Sequence, residues 1–380
     1  MSIYIARIGK SNSLHISQLS EDVVLELVSG RPALDQLTSG WRSLQNHLAA
    51  PPMSRIEWTL AYLESFAQAS PERVLLVTIK VHGEINALIP LVQKGVPGFR
   101  FLELLGAEIY EPTALLHRNP EHLVQLLDEV LTVTGQPLVF ERYPDNVASL
   151  ELITSGLKKA WRVRRRPRPA SPSVSIGDDP EKVLNSGRRS DLRRMMRRAE
   201  KHGVVTHRIL SPDPGEVPSL LEMVMRIEAA GWKGARQTSL LDEAVPRKFF
   251  ERFATLAAEA GTLRIAFLDI DGESVATQLA VETGGSLWLF KIGYNEAYSD
   301  CSPGNLLMME VIRYASQRKL KTCEFLGRAE AWTRMWTNSE YGTECITLFP
   351  SRSSYYAQML ARAAQKLASK FSHKSYDKSK

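Results

Sequence analysis

The run Ser302-Pro303-Gly304-Asn305-Leu306 has the residue types of an anion site at a helix start. Ser302 suits an N-cap and Pro303 the first helical position, where its missing N–H would have been unpaired anyway. The spacing predicts that the backbone N–H groups of Gly304, Asn305 and Leu306 lack partners inside the helix. Gly304 would leave room there for a phosphate or pyrophosphate. Nearby lie groups that can move protons or orient a substrate: Lys291, Tyr294, Tyr298, Glu324, Arg328 and Glu330, with Gln278 inside an otherwise apolar run. Glu330 can act as a general base, directly or through water, and Tyr294 or Tyr298 as a general acid. Arg334 cannot act as a base and reads as a clamp for an anion. Trp232, between Gly231 and Lys233, reads equally as an aromatic lid or as a packed helix stop.

Other chemistries are poorly served. The loop is neither Gly-x-x-x-x-Gly-Lys-Ser/Thr nor Gly-x-Gly-x-x-Gly, so nucleotide triphosphatases and dinucleotide dehydrogenases find no support. The eight histidines lie at 15, 47, 82, 117, 122, 202, 207 and 373, which excludes a Ser-His-Asp or Cys-His site built within 208–372. No close pair of His or Cys suggests a metal, so none is expected. Cys301, Cys323 and Cys345 form no Cys-x-x-Cys and no disulfide framework, which fits a reducing compartment.

The elements that must position these residues repeat themselves. In the first half, helices are predicted at 32–48 and 56–68, a hairpin at 73–92, strands at 101–105, 114–116 and 138–142, and a helix at 121–133. In the second half, helices at 217–230 and 244–260 precede a hairpin at 263–282 around Asp271-Gly272. A strand at 286–294, the loop, a helix at 303–319, a strand at 322–326, a helical segment at 329–336 and a strand at 344–349 follow. Met308, Val311, Ile312 and Ala315 would fasten the helix after the loop to a sheet. One mixed α/β unit is used twice, without residue-level identity between the copies.

Charge is uneven. The 380 residues carry +6 overall, yet 156–210 hold 16 Lys/Arg against 5 Asp/Glu, and 351–380 hold 7 against 1. The rest is net acidic. Arg189, Arg193 and Arg197 form one row on a helix whose other face is Leu192, Met195, Met196 and Ala199, ended by Gly203. Such a face is either simply solvated or meets an anionic partner: RNA, a phospholipid surface or an acidic carrier protein. The tail 355–371 also has helical spacing, for docking or for lying in a membrane interface. No stretch is apolar enough to span a membrane, and Arg7, Lys10, Asn12 and His15 interrupt any signal-peptide core; the cytoplasm, including the inner face of the membrane, is the expected place.

The order of the second half resembles the GNAT superfamily of acyl-CoA-dependent N-acyltransferases, and within it the family associated with cellulose-biosynthesis-type proteins. The resemblance rests on Lys291-Ile292-Gly293-Tyr294-Asn295-Glu296-Ala297-Tyr298, on Ser302-Pro303-Gly304-x-Leu306 and on Phe325-Leu326-Gly327-x-x-Glu330-x-x-x-x-x-Trp336. The Arg-rich helix and Gly231-Trp232-Lys233-Gly234 add to it. It implies two GNAT-like domains in tandem, each a twisted mixed sheet flanked by helices, as in Fem-type aminoacyltransferases. The expected division is 1–165, a basic Pro/Ser-rich linker at 166–177, a catalytic 178–350, and a basic tail at 351–380. The implied reaction moves an acyl group from acyl-CoA, acetyl or longer, to an amine on a small molecule, lipid or saccharide precursor. Ser302, Pro303, Gly304, Asn305 and Leu306 would hold the donor, and Lys291, Gln278, Trp232, Arg328 and Arg334 the substrate. Two departures bear on the donor: the usual Arg/Gln-x-x-Gly-x-Gly/Ala loop is reduced to Ser-Pro-Gly, and Trp332-Thr333-Arg334 stands where relatives show Tyr-Lys. Aminoacyl-tRNA or an acyl carrier is the alternative donor, and a non-catalytic module binding an anionic partner is a third reading. In the first half, Gly95-Val96-Pro97-Gly98 opens no predicted helix, so that half would serve as scaffold and part of the acceptor cleft.

Overall fold

The computed structural model describes residues 15–20, 22–231 and 240–360. The first half runs β1 (His15–Gln18), β2 (Val23–Ser29), α1 (Gly30–His47), α2 (Ile56–Glu64), β3 (Val74–Val81), β4 (Glu84–Lys94), β5 (Phe101–Leu104), β6 (Leu116–His117), α3 (Pro120–Thr134), β7 (Leu138–Pro144) and α4 (Ser149–Ser155). A long strand, β8 (Arg162–Ser175), leads to α5 (Ser186–His202), β9 (Val205–Leu210), α6 (Val217–Ala229) and α7 (Ala244–Glu259). The remainder is β10 (Leu263–Ile270), β11 (Glu273–Thr283), β12 (Ser286–Tyr294), α8 (Pro303–Gln317), β13 (Thr322–Glu324) and β14 (Glu340–Phe349). This is the mixed α/β architecture expected, a mixed sheet flanked by helices.

All strands join one continuous sheet in the order β1-β2-β3-β4-β5-β7-β14-β8-β13-β12-β11-β10-β9, with β6 beside β4. Each half is an antiparallel meander closed by one parallel pair, β5 with β7 and β12 with β13. Helices α3 and α8 are the crossovers that parallel pairing requires. Both hairpins turn through left-handed residues, His82-Gly83 and Asp271-Gly272, which explains the strength of the turn signal in the sequence.

Three apolar layers hold the sheet. One lies between α3 and the first half's strands, built on Leu123, Leu127 and Phe140. A second lies under α8 and α5, where Met308, Val311, Ile312, Ala315 and Leu192 are all buried. The third belongs to both halves: Trp41 and Trp58 from α1 and α2 share a core with Phe249 and Phe253 of α7. Trp58 meets these two phenylalanines edge-on at 4.7 and 5.1 Å. Burying aromatic rings across the seam ties the halves into one body.

Two readings change here. The expected linker 166–177 is largely strand, because β8 pairs with β14 along Arg162–Pro172 and with β13 along Ser173–Ser175. The last strand, expected to complete the second half, lies in the first half's sheet between β7 and β8. Prolines 167, 169 and 172 fit inside β8 because β13 pairs with it only at Ser173–Ser175, leaving the other edge of 162–171 outside the ladder, and because the register against β14 slips between Tyr341 and Thr343.

Candidate functional site

Strands β12 and β13 pair only between Ser286–Trp288 and Thr322–Glu324. Beyond Glu324 the chain leaves the sheet through Leu326 and Gly327, both left-handed (φ 56° and 52°), while β12 runs on to Tyr294 paired only with β11. The strands therefore splay. A bulge on β12 sets which side chains face the gap: Leu279 lies opposite Lys291 and Ala280 opposite Leu289, so Phe290 is the extra residue. After it, Tyr294 packs with the core under α8 and Ile292 lines the gap, whereas Phe290 and Lys291 face α6 and α7.

The gap holds a cavity of about 460 Å³. Gln278, Tyr294, Ser302, Gly304, Asn305 and Met308 line it with Phe325 and Trp332. Thr277, Gly293, Glu228 and Gly231 line it where α6 approaches, and Leu326, Gly327, Arg328 and Glu330 form one lip. Gly293 is required for this closeness, since a Cβ there would sit 2.8 Å from Cα of Glu228.

Pro303 is the first residue of α8, as expected, but Ser302 caps it differently from the expectation. Ser302 is left-handed (φ 51°, ψ 58°), and its hydroxyl makes no capping bond. Its carbonyl instead accepts the N–H groups of Asn305 and Leu306 at 3.0 and 3.3 Å. Of the three donors predicted for an anion, Gly304 alone keeps its N–H for a ligand. Space is available, because a Cβ on Gly304 would come no nearer than 3.6 Å to Tyr294. Leu306 packs into the core with Pro303 rather than facing the cavity.

Other expected residues divide clearly. Tyr294, Gln278, Arg328 and Glu330 reach the cavity wall; Lys291, Tyr298 and Arg334 do not line it. Lys291 Nζ lies 4.5 Å over the Phe250 ring, on the side of the sheet set by the bulge. Tyr298 donates to Glu273 at 3.1 Å and packs edge-on against His202. Arg334 is exposed in a short 3-10 turn (Thr333–Met335), shorter than the helical segment expected. Glu330 is 41 % exposed, with Arg328 3.7 Å away. Trp232 lies outside the described residues. Cys301 is buried, donates to the Tyr298 carbonyl at 3.1 Å, and has its thiol pushed up by burial, which opposes a nucleophilic role. His202 Nε2 bonds both carboxylate oxygens of Asp300 at 3.1 Å beside it.

The first half was expected to form part of the acceptor cleft, but no pattern singled out the residues that reach this site. Arg142, 1 % exposed and itself left-handed (φ 51°), donates to the Gly327 carbonyl at 2.5 Å and to Ser171 Oγ at 2.6 Å. It also reaches the carbonyls of Tyr110 and Pro169. Glu111 accepts the Gly327 N–H at 3.0 Å. Both backbone polar groups of Gly327, at the cavity lip, are thus held by residues of the other half. Burial pushes the Glu111 carboxyl up to about 7, against the opposing pull of the Gly327 N–H, Arg142 and Lys291. Only three-dimensional proximity reveals this, since Glu111 and Gly327 are far apart in sequence.

The splayed parallel pair with a helix starting at its mouth invites comparison with known families. Residues 186–334 match a family model described as an acetyltransferase (GNAT) domain. That match spans under half the chain and carries no cellulose-biosynthesis designation. No curated protein matches the chain. Among solved structures, the C-terminal domain of a putative lysylphosphatidylglycerol synthetase from Agrobacterium fabrum is similar over 87% of this chain and 96% of that one, with 11% identity and a TM-score of 0.54. L-PGS from Bacillus licheniformis is similar over 91% and 98%, at 13% identity and a TM-score of 0.53. FemX is similar over 82% and 95%, at 12% identity and a TM-score of 0.53. At such identities the likeness is one of fold.

Proposed function

We propose that the protein is a transferase that moves an acyl group from an activated donor to an amine, by direct attack in the gap between β12 and β13. The observation that carries this reading is the cavity itself, which opens where two parallel strands part and is bounded by the start of α8. A thioester or ester carbonyl lying in the gap would have its tail near Gly304 and Asn305 and its carbonyl near the lip. The amine must lose a proton before it attacks, and Glu330 and Glu111 are the carboxyls at or behind that lip. A carboxyl poised near neutrality suits that task, which favours Glu111. Tyr294, on the α8 side, is placed to protonate the leaving group. Acyl-CoA is the donor that the matched domain favours.

A second donor is favoured by a specific observation. With Asn305 and Leu306 spent on the Ser302 carbonyl, little remains to cradle a pyrophosphate. Meanwhile α5 presents Arg193, Arg197 and Lys201, which make no ion pair with a carboxylate among the described residues. Such a row suits the polyanion of a tRNA or an acidic carrier bearing the acyl group.

Thermal shift with CoA, acetyl-CoA and palmitoyl-CoA tests the reading, with Gly304→Asp as control. A ligand at ~100 times its Kd adds about 2.7 kcal/mol of stability. Stabilisation by any of the three, lost in the variant, supports an acyl-CoA donor. No shift with any of them removes CoA and leaves the carrier- or tRNA-linked donor.

A further inference from the structure

A second basic surface, away from the cavity, differs in kind from α5. It is formed where the chain enters β8 and where residues 352–360, helical in the structure, fold back after β14. Tyr355 anchors this helix by packing edge-on against Phe349 at 5.1 Å, with the Arg162 guanidinium 4.6 Å over its ring. Arg164 reaches Met359 Sδ at 3.3 Å, and the Trp161 N–H bonds the Phe349 carbonyl at 2.7 Å. The helix is therefore fastened by one face. Its other face leaves Tyr356 60 % and Leu360 69 % exposed, next to Trp161 at 39 %.

Neither 157–168 nor 345–360 contains a carboxylate. Among the described residues, Lys158, Lys159, Arg162, Arg164, Arg166 and Arg352 make no ion pair. An aliphatic side chain and two aromatic ones stand exposed in a ring of cations. A purely polyanionic partner would be served by the cations alone, and gains nothing from Leu360. The boundary between phosphate headgroups and acyl chains rewards all three: charge at the phosphates, indole and phenol rings at the headgroup level, leucine below. Helix α5 has the cations without exposed aromatic rings beside them, which suits a hydrophilic polyanion instead.

We propose that the surface formed by Lys158–Arg166 and residues 352–360 docks the protein on a bilayer containing anionic lipid, with Trp161, Tyr356 and Leu360 entering the headgroup boundary. The proposal does not depend on which donor the cavity takes.

The test is co-sedimentation of the full chain with vesicles of equal parts phosphatidylglycerol and phosphatidylcholine, and with phosphatidylcholine alone. Binding is expected to the first and to be weak on the second. The Trp161→Ser/Tyr356→Ser/Leu360→Ser variant changes no charge and should bind at least about tenfold more weakly, since affinity follows the apolar area inserted. Arg193→Ala/Arg197→Ala on α5 should change it less than about threefold. Brominated lipids should quench wild-type tryptophan fluorescence, and Trp161→Phe should remove most of that quenching, a readout that survives if the triple variant fails to fold. Absence of binding to the anionic vesicles overturns the proposal, as does binding that the α5 variant abolishes and the triple variant leaves intact. Binding to poly(U) that the triple variant loses, without vesicle binding, reassigns the surface to nucleic acid.

Discussion

The two parallel pairs make opposite use of the same geometry. In the first half, β5 and β7 part as β12 and β13 do, and a cavity of about 390 Å³ lies beside the parting strands. Its charges are consumed internally. Lys94 is paired with Glu103 and Glu108, Tyr62 donates to Glu108 at 2.8 Å, and Arg168 is paired with Glu141. The crossover helices also differ at their second residue: α3 begins Pro120-Glu121, with the Asn119 side chain accepting the Glu121 N–H, whereas α8 begins Pro303-Gly304 with no side-chain cap. A carboxylate at a helix start repels an anion that the bare N–H would attract. The first gap is closed by chemistry and the second left open, so the first half serves the second half's site, through Arg142 and Glu111.

The largest effect should come from cutting that service. Arg142→Ala leaves Glu111 without its cation and the Tyr110 carbonyl without its donor, while the Gly327 and Pro169 carbonyls keep only Ser171 and Thr343; a loss of about 3–5 kcal/mol in urea denaturation is expected. A loss below 1 kcal/mol would mean the halves hold the lip independently.

Next in size is a pH effect. The Glu111 carboxyl is raised to about 7 in the folded chain, so the folded state holds its proton more tightly than the unfolded. Its contribution is then fully present below the ordinary carboxylate range and is lost as pH rises to about 7, on the order of 3 kcal/mol in all. Glu111→Gln should flatten the stability profile across that window and keep the Gly327 N–H satisfied; an unchanged slope would show that another group titrates there.

Gly293→Ala should cost about 1–3 kcal/mol, because the new methyl meets the α6 backbone at Glu228. The corresponding melting-temperature drop is the readout, and ligand affinity should fall with it as the cavity narrows.

The smallest stability change should accompany Gly304→Glu, which gives the second helix the first helix's start. A carboxylate in the first turn should alter stability by less than about 1 kcal/mol. It should abolish the thermal shift produced by whichever CoA ester binds. Retention of that shift would place the donor's anionic part elsewhere and erase the contrast between the two gaps.

Much of the frame was legible from pattern alone. Strand β12 spans the residues that alternation marks, and α8 and the hairpin at Asp271-Gly272 follow their apolar stripe and turn residues closely. What escaped was set by distant partners. Strand β8 carries three prolines and a run of arginines, a composition that argues against a central strand; the distant β14 supplies its ladder, and Glu344 and Glu141 pair with Arg165 and Arg168. The site was half legible: Gly304, Tyr294, Gln278 and Glu330 lie where spacing placed them. Lys291 and Tyr298 were misplaced because a one-residue bulge and a turn re-aim side chains without leaving a mark in composition.

The return of β14 to the first half also sets an order of events during synthesis. When residue 175 leaves the ribosome, β7 and β8 have no strand between them, and their shared neighbour is still more than a hundred residues from being made. The first sheet must wait, with two strand edges open, until nearly the whole chain is available. Truncation anywhere before β14 should therefore yield aggregation rather than a stable first domain, and residues 186–334 expressed alone should leave β13 without the β8 strand it pairs with. Two units that look separable in sequence are topologically one folding job.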